Sequence, residues 1–126
     1  MAQKHPHITC LQQKNFDYVG QRFQVATPEA LRPKKFDHAI ISGTKATNIE
    51  VNFYGGPGSK PSEIVKSYID RQRDLKAAGW RFVWLTDGAG WKSMQNPLRD
   101  GVDHIDYVIN AHLLRVGLLE EIVLRP

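Results

Sequence analysis

Two β-rich runs separated by Gly43-Thr44-Lys45 constrain this chain more than any other feature. Residues 36 to 42 and 46 to 54 are rich in β-branched, aromatic and small apolar side chains, and a glycine opening so short a connection reads as a hairpin. Alternation along the second run places Glu50 and Asn52 on one face and Ile49, Val51 and Phe53 on the other. If Gly43-Thr44 is a two-residue turn with glycine at its first central position, Ser42 pairs with Lys45 and, counting outward, Asp37 falls opposite Glu50. Directly opposed side chains have Cβ atoms about 4.5 to 5.5 Å apart, so the two carboxylates would be neighbours.

Around this hairpin the pattern alternates strands and helices. Residues 18 to 25 read as a first strand, and Thr27-Pro28-Glu29-Ala30-Leu31 as a short helical turn with a Thr cap and Pro at its first position. Residues 54 to 60 form a glycine-rich loop, and 62 to 78 carry helical periodicity. There Val65, Tyr68, Ile69, Gln72 and Leu75 lie near one face, Lys66, Asp70, Arg73 and Asp74 on the exposed side, and Gly79 is the stop. Residues 80 to 86 are a nearly continuous apolar strand, buried on both faces, for which a parallel neighbour fits. Beyond it the sequence predicts a short irregular helix over 91 to 101, a strand over 104 to 109, a short helix over 110 to 116 and an apolar tail over 118 to 124. The expected fold is α/β: a mixed sheet flanked by helices, with the helix at 62 to 78 as a right-handed crossover between parallel strands.

At 126 residues the chain fits one domain, 1 to 126, with 1 to 16 as an irregular N-terminal arm. It has 41% hydrophobic and 24% charged residues, no apolar run of membrane-spanning length, no secretory leader pattern at its start and a single cysteine, Cys10. A cytoplasmic protein with no membrane partner is the expectation. The net charge of +4 sits in the first sixty residues, which carry eight Lys/Arg against four Asp/Glu. Such a region suits phosphate neutralisation, although many basic domains bind no nucleic acid.

Two opposed carboxylates repel unless one is protonated or a cation lies between them, and a hard divalent ion is the usual solution. A Mg²⁺ held there polarises a phosphate and lowers the pKa of a bound water. The plainer reading is a solvated hairpin face carrying two unconnected acids. Against it stands Glu50's place in an apolar run on a central strand, where an unpaired acid is costly to bury. Spacing by itself favours the plainer reading, and the setting of Glu50 leaves both open. Other chemistries are poorly supported: five histidines show no zinc-ligand spacing, and Gly55-Gly56-Pro57-Gly58-Ser59-Lys60 lacks the spacing of a P-loop. His38 reads as packing or surface, and Trp80, Trp84 and Trp91 as core, the last after a glycine-rich turn.

Phe36-Asp37, twelve intervening residues and Glu50-Val51-Asn52 resemble the PD-(D/E)xK nuclease motif, in which an Asp and an (Asp/Glu)-x-Lys on adjacent strands hold the metal and orient the water. More specifically, the string from Ile49 through Phe53-Tyr54-Gly55-Gly56-Pro57-Gly58-Ser59 to Lys60, Ser67-Tyr68, and Trp84-Leu85-Thr86-Asp87-Gly88-Ala89-Gly90-Trp91-Lys92-Ser93 resemble the C-terminal half of the Mbo/Dpn group of type II restriction endonucleases, which cut DNA at GATC. The resemblance implies a Mg²⁺-dependent endonuclease acting on double-stranded DNA as a homodimer. Asp37 and Glu50 would be the metal ligands, and Asn52 would stand in the water-orienting lysine position. Asn52 is neutral, so the missing charge would come from Lys60 or Lys35. Expected DNA contacts are Lys34, Lys35, Lys60 and Lys92, with Arg22 and Arg32 suited to the backbone and Ser93, Gln95 and Asn96 available for base edges. Because the family's N-terminal half is absent, the alternative is a non-catalytic DNA-binding or regulatory module that retains the fold. A further rival is an interaction protein whose basic face binds protein or RNA.

Overall fold

The computed structural model describes residues 8–53, 61–87, 103–109, 117 and 122–123. Its elements are β1 (Ile8–Gln12), α1 (Phe16–Arg22), a 3-10 turn (Glu29–Leu31), β2 (His38–Ser42), β3 (Lys45–Phe53), α2 (Pro61–Ala77), β4 (Arg81–Asp87) and β5 (Tyr107–Ile109). The strands form one mixed sheet in the order β1-β2-β3-β4-β5. The first three are antiparallel neighbours, and β3, β4 and β5 run parallel. Helix α2 makes the crossover from β3 to β4 that the periodicity predicts, and the α/β expectation holds.

The hairpin register is the one counted from its turn. Ser42 pairs with Lys45 and His38 with Ile49. Gly43 has φ +63° while Thr44 does not enter positive φ, the arrangement of a two-residue turn whose first position demands glycine. Gly79, at φ +88°, ends α2 as expected, with Gly79 N–H donating to the Lys76 carbonyl.

Three expectations near the N-terminus are corrected. The strand read over 18 to 25 is the helix α1, because Phe16 and Val19, three residues apart, both enter the core while Gln21 Nε2 donates to Asp17 Oδ2 at 2.9 Å one turn back. The β-prone Tyr18, Val19 and Phe23 mask that helical spacing in the sequence. The turn at 29–31 exists, but Pro28 occupies the N-cap position and no side chain caps it. The arm expected to be irregular over 1 to 16 holds a strand: Ile8–Gln12 pairs with β2, from Ile8↔Ser42 to Gln12↔His38. The elements read over 91 to 101 and 110 to 116, and the loop over 54 to 60, lie outside the described residues. Of the apolar tail, Ile122 and Val123 are described; both are buried, and their carbonyls accept from Arg81 Nη1 at 2.6 and 3.3 Å.

The core divides along the sheet. On the α2 side, Phe16, Phe36, Ala39, Ile41, Phe82 and Trp84 pack with Val65 and Leu75. Phe16 sits edge-on to Phe36 and Trp80, at centroid distances of 5.2 and 5.4 Å. On the opposite side lie Ile49, Val83, Leu85, Ile109 and Ile122. Trp80 and Trp84 are therefore core residues, as read; Trp91 lies outside the described residues. Gln72 joins α2 to the approach to β5: its Nε2 donates to the His104 carbonyl and its Oε1 accepts from Asp106 N–H, both at 2.7 Å. Among the described residues no helix is long and apolar enough to cross a membrane.

Candidate active site

The register that pairs His38 with Ile49 brings Asp37 level with Glu50 at the open end of the hairpin, where the backbone ladder gives way to side-chain bonds. Asp37 N–H donates to Glu50 Oε2 at 2.8 Å, and Val51 N–H donates to Asp37 Oδ2 at 2.9 Å. Each acid thus accepts from the other's strand. The Asp37 carbonyl turns the other way and accepts from Gln13 N–H at 3.0 Å, while Phe36 N–H donates to the Lys14 carbonyl. Here the chain leading into β2 leaves β3 and follows the segment after β1.

Alternation puts Asn48, Glu50 and Asn52 on the α2 side of β3, and register sets them against Phe82, Trp84 and Thr86 of β4. Glu50 is 7% exposed, an unusual depth for an acid. Its Oε2 also accepts from Asn48 Nδ2 at 2.9 Å, and the same Nδ2 donates to the His38 carbonyl at 3.1 Å. Two acceptors on one nitrogen fix the amide's orientation. Asn48 Oδ1, buried beside the acid, has no hydrogen-bond partner among the described residues. Arg71, from α2, brings Nη1 to 2.9 Å from Glu50 Oε1.

Burial pushes the Glu50 carboxyl above its ordinary value of 4.5. The Asp37 amide, Asn48 and the Arg71 charge pull it back in part, and the neighbouring Asp37 carboxylate adds to the rise. Desolvation outweighs the partners, which is the environment in which a bound cation is most effective at holding a carboxylate charged.

The donor set is all oxygen: two carboxylates and the Asn52 amide on one sheet face. It fits a hard divalent cation better than a soft one. Glu50 Oε2 and Asp37 Oδ2 are held by backbone amides, so a metal would take Glu50 Oε1, which Arg71 pairs, and Asp37 Oδ1. The latter has a single 3.3 Å contact, from the exposed Gln13 Nε2. No cluster of three or more His, Cys, Asp or Glu side chains occurs among the described residues, so the protein would supply two carboxylates.

Lys34 and Lys35 are exposed on the segment leading to Asp37. Lys60 and Lys92 lie outside the described residues, as do Ser93, Gln95 and Asn96. Sequence reasoning missed Asn48 and Arg71. Asn48 was accessible through strand alternation, as a polar residue two before Glu50. Arg71 lies three residues after Tyr68 and four before Leu75, at the margin of the packed helix face, but nothing in its own segment points across to β3.

A family model described as DpnII restriction endonuclease matches residues 1–121. The type II restriction enzyme MjaIII of Methanocaldococcus jannaschii is 32% identical over 98% of this chain and 47% of its own length. MboI of Moraxella bovis and DpnII of Streptococcus pneumoniae, both type II restriction enzymes, are each 37% identical over 71% of the chain, covering 32% and 31% of their own lengths. The chain thus spans less than half the length of these relatives. No solved structure matches it. With a mixed sheet that aligns Asp37 and Glu50 at a hairpin's open end, and a family match over nearly its whole length, the chain belongs to the DpnII restriction endonuclease family.

Proposed function

We propose that this chain is the catalytic part of a metal-dependent type II restriction endonuclease, hydrolysing phosphodiester bonds in double-stranded DNA. The observation that carries the reading is the pairing of Asp37 with a buried Glu50 on one sheet face, in a chain whose relatives are named type II restriction enzymes. Asp37 and Glu50 would hold Mg²⁺, which when bound polarises a phosphate oxygen and lowers the pKa of a water. Asn52, in the position of the motif lysine, hydrogen-bonds the water or the phosphate but brings no charge. The exposed Lys34 and Lys35 neutralise the DNA backbone beside the site. Lys60 and Lys92, outside the described residues, would extend that contact. Cutting both strands calls for two such sites, hence a homodimer.

The test is plasmid cleavage by the full chain in Mg²⁺, with duplex binding measured in parallel at two salt concentrations. Cleavage that EDTA abolishes is expected, together with steeply salt-dependent binding and a weak preference for GATC over a scrambled site. Salt-dependent binding without cleavage would replace this reading with that of a non-catalytic DNA-binding module. Absence of both would leave an interaction protein.

A further inference from the structure

Asp37, Glu50 and Asn52 carry no positive charge, yet one side chain brings a cation to them from outside the hairpin. Arg71 is 14% exposed at its side chain, against 70% for Arg73 two residues on. Its guanidinium lies over the Phe16 ring at 5.6 Å, and Nη1 lies 2.9 Å from Glu50 Oε1. Nη1 is buried and its ion pair with Glu50 is not a well-aligned hydrogen bond. A buried guanidinium is costly unless paired, and the Glu50 carboxylate is the acid that offsets that cost. Glu50 Oε2 is already taken by Asp37 N–H and Asn48 Nδ2. Oε1 is therefore the oxygen for which Arg71 and a divalent ion would contend.

On its other side Arg71 lines a cleft of about 600 Å³ between α2 and the 3-10 turn, with Lys34 and Lys66 on the walls. Arg73, also on the wall, is engaged by Asp70 and Asp74 at 3.5 and 3.4 Å. Arg71 thus joins an open cleft to the buried acid.

We propose that Arg71 is the cation of this site. It is a positioning residue that competes with a divalent ion for Glu50 Oε1 and supplies beside that carboxylate the positive charge that Asn52 cannot. The inference rests on the nuclease reading. It replaces Lys35 and Lys60 as the source of the missing charge with a residue held in place by Glu50 and Phe16.

The two halves of the proposal predict effects of opposite sign. Mn²⁺ is titrated calorimetrically into the full chain carrying wild-type Arg71, Arg71→Met or Arg71→Lys, and single-turnover cleavage is measured at saturating Mn²⁺. Arg71→Met, which keeps the packing on Phe16, is expected to bind Mn²⁺ about tenfold more tightly for want of the competing charge. It is also expected to cleave about a hundredfold more slowly. Arg71→Lys falls between on both axes. A merely structural Arg71 would weaken metal binding and cleavage together, and that result overturns the proposal. So does wild-type behaviour in Arg71→Met or, should that variant not fold, in Arg71→Lys. If wild type itself neither binds Mn²⁺ nor cuts DNA, the nuclease reading falls and takes this inference with it. Failure confined to the Arg71 variants overturns the inference alone.

Discussion

At the Gly43 end of the β2–β3 hairpin the backbone ladder runs unbroken from Ser42↔Lys45 to His38↔Ile49, and Ala39, Ile41 and Ala46 cover the side toward α2. At the opposite end carboxylates replace ladder partners, with Asp37 N–H bonded to Glu50 and Val51 N–H to Asp37. The first end is held by backbone geometry that any small apolar side chains would satisfy. The second is held by specific side-chain atoms, one of them on an acid whose burial costs free energy. A fold needing only stability would run the apolar pattern to the end of the strand. Placing a buried acid there costs stability, and the proposed metal-binding role would account for it.

The comparison breaks most visibly at Glu50. Replacing it with Ala strands the Arg71 charge and leaves the Asp37 amide and Asn48 Nδ2 without their acceptor. The expected loss is about 3 kcal/mol in urea melts, together with loss of Mg²⁺-dependent cleavage. If stability is unchanged, the open end is not held by its side chains. At the turn end, Gly43→Ala meets no atom within 4 Å, so its cost is the positive φ alone, about 1 kcal/mol, and metal binding should be untouched. A change in Mn²⁺ affinity in that variant would show that the two ends are coupled.

A smaller effect sharpens the same contrast through pH. Because Glu50 titrates above 4.5 in the folded protein, the native state holds a proton that the unfolded chain releases. In the metal-free protein its contribution is therefore greatest at low pH and falls as pH rises from 4.5 through the raised folded value. Glu50→Gln should remove that part of the slope in melts recorded across the window, whereas Gly43→Ala should keep it. Equal slopes in all three proteins would place Glu50 in a more solvated setting.

Much of this was open to reading in the chain. The turn chemistry of Gly43-Thr44 and the period of two along β3 determined the register and the shared face of Asp37, Glu50 and Asn52, and the helical period over 62 to 78 before an apolar strand determined the parallel crossover, since each depends on local geometry repeated over a few residues. The same local reasoning failed at 18 to 25, where β-prone side chains masked the spacing that buries Phe16 and Val19 in a helix. What no local pattern carries is how Glu50 is satisfied. The Arg71 contact spans twenty-one residues and the Asn48 amide is aimed by a carbonyl on the neighbouring strand, so both depend on how α2 and β2 pack around β3. Sequence periodicity determined which residues face the site; only tertiary packing decided which charge meets Glu50, because electrostatic partners are chosen by distance in space and not by separation along the chain.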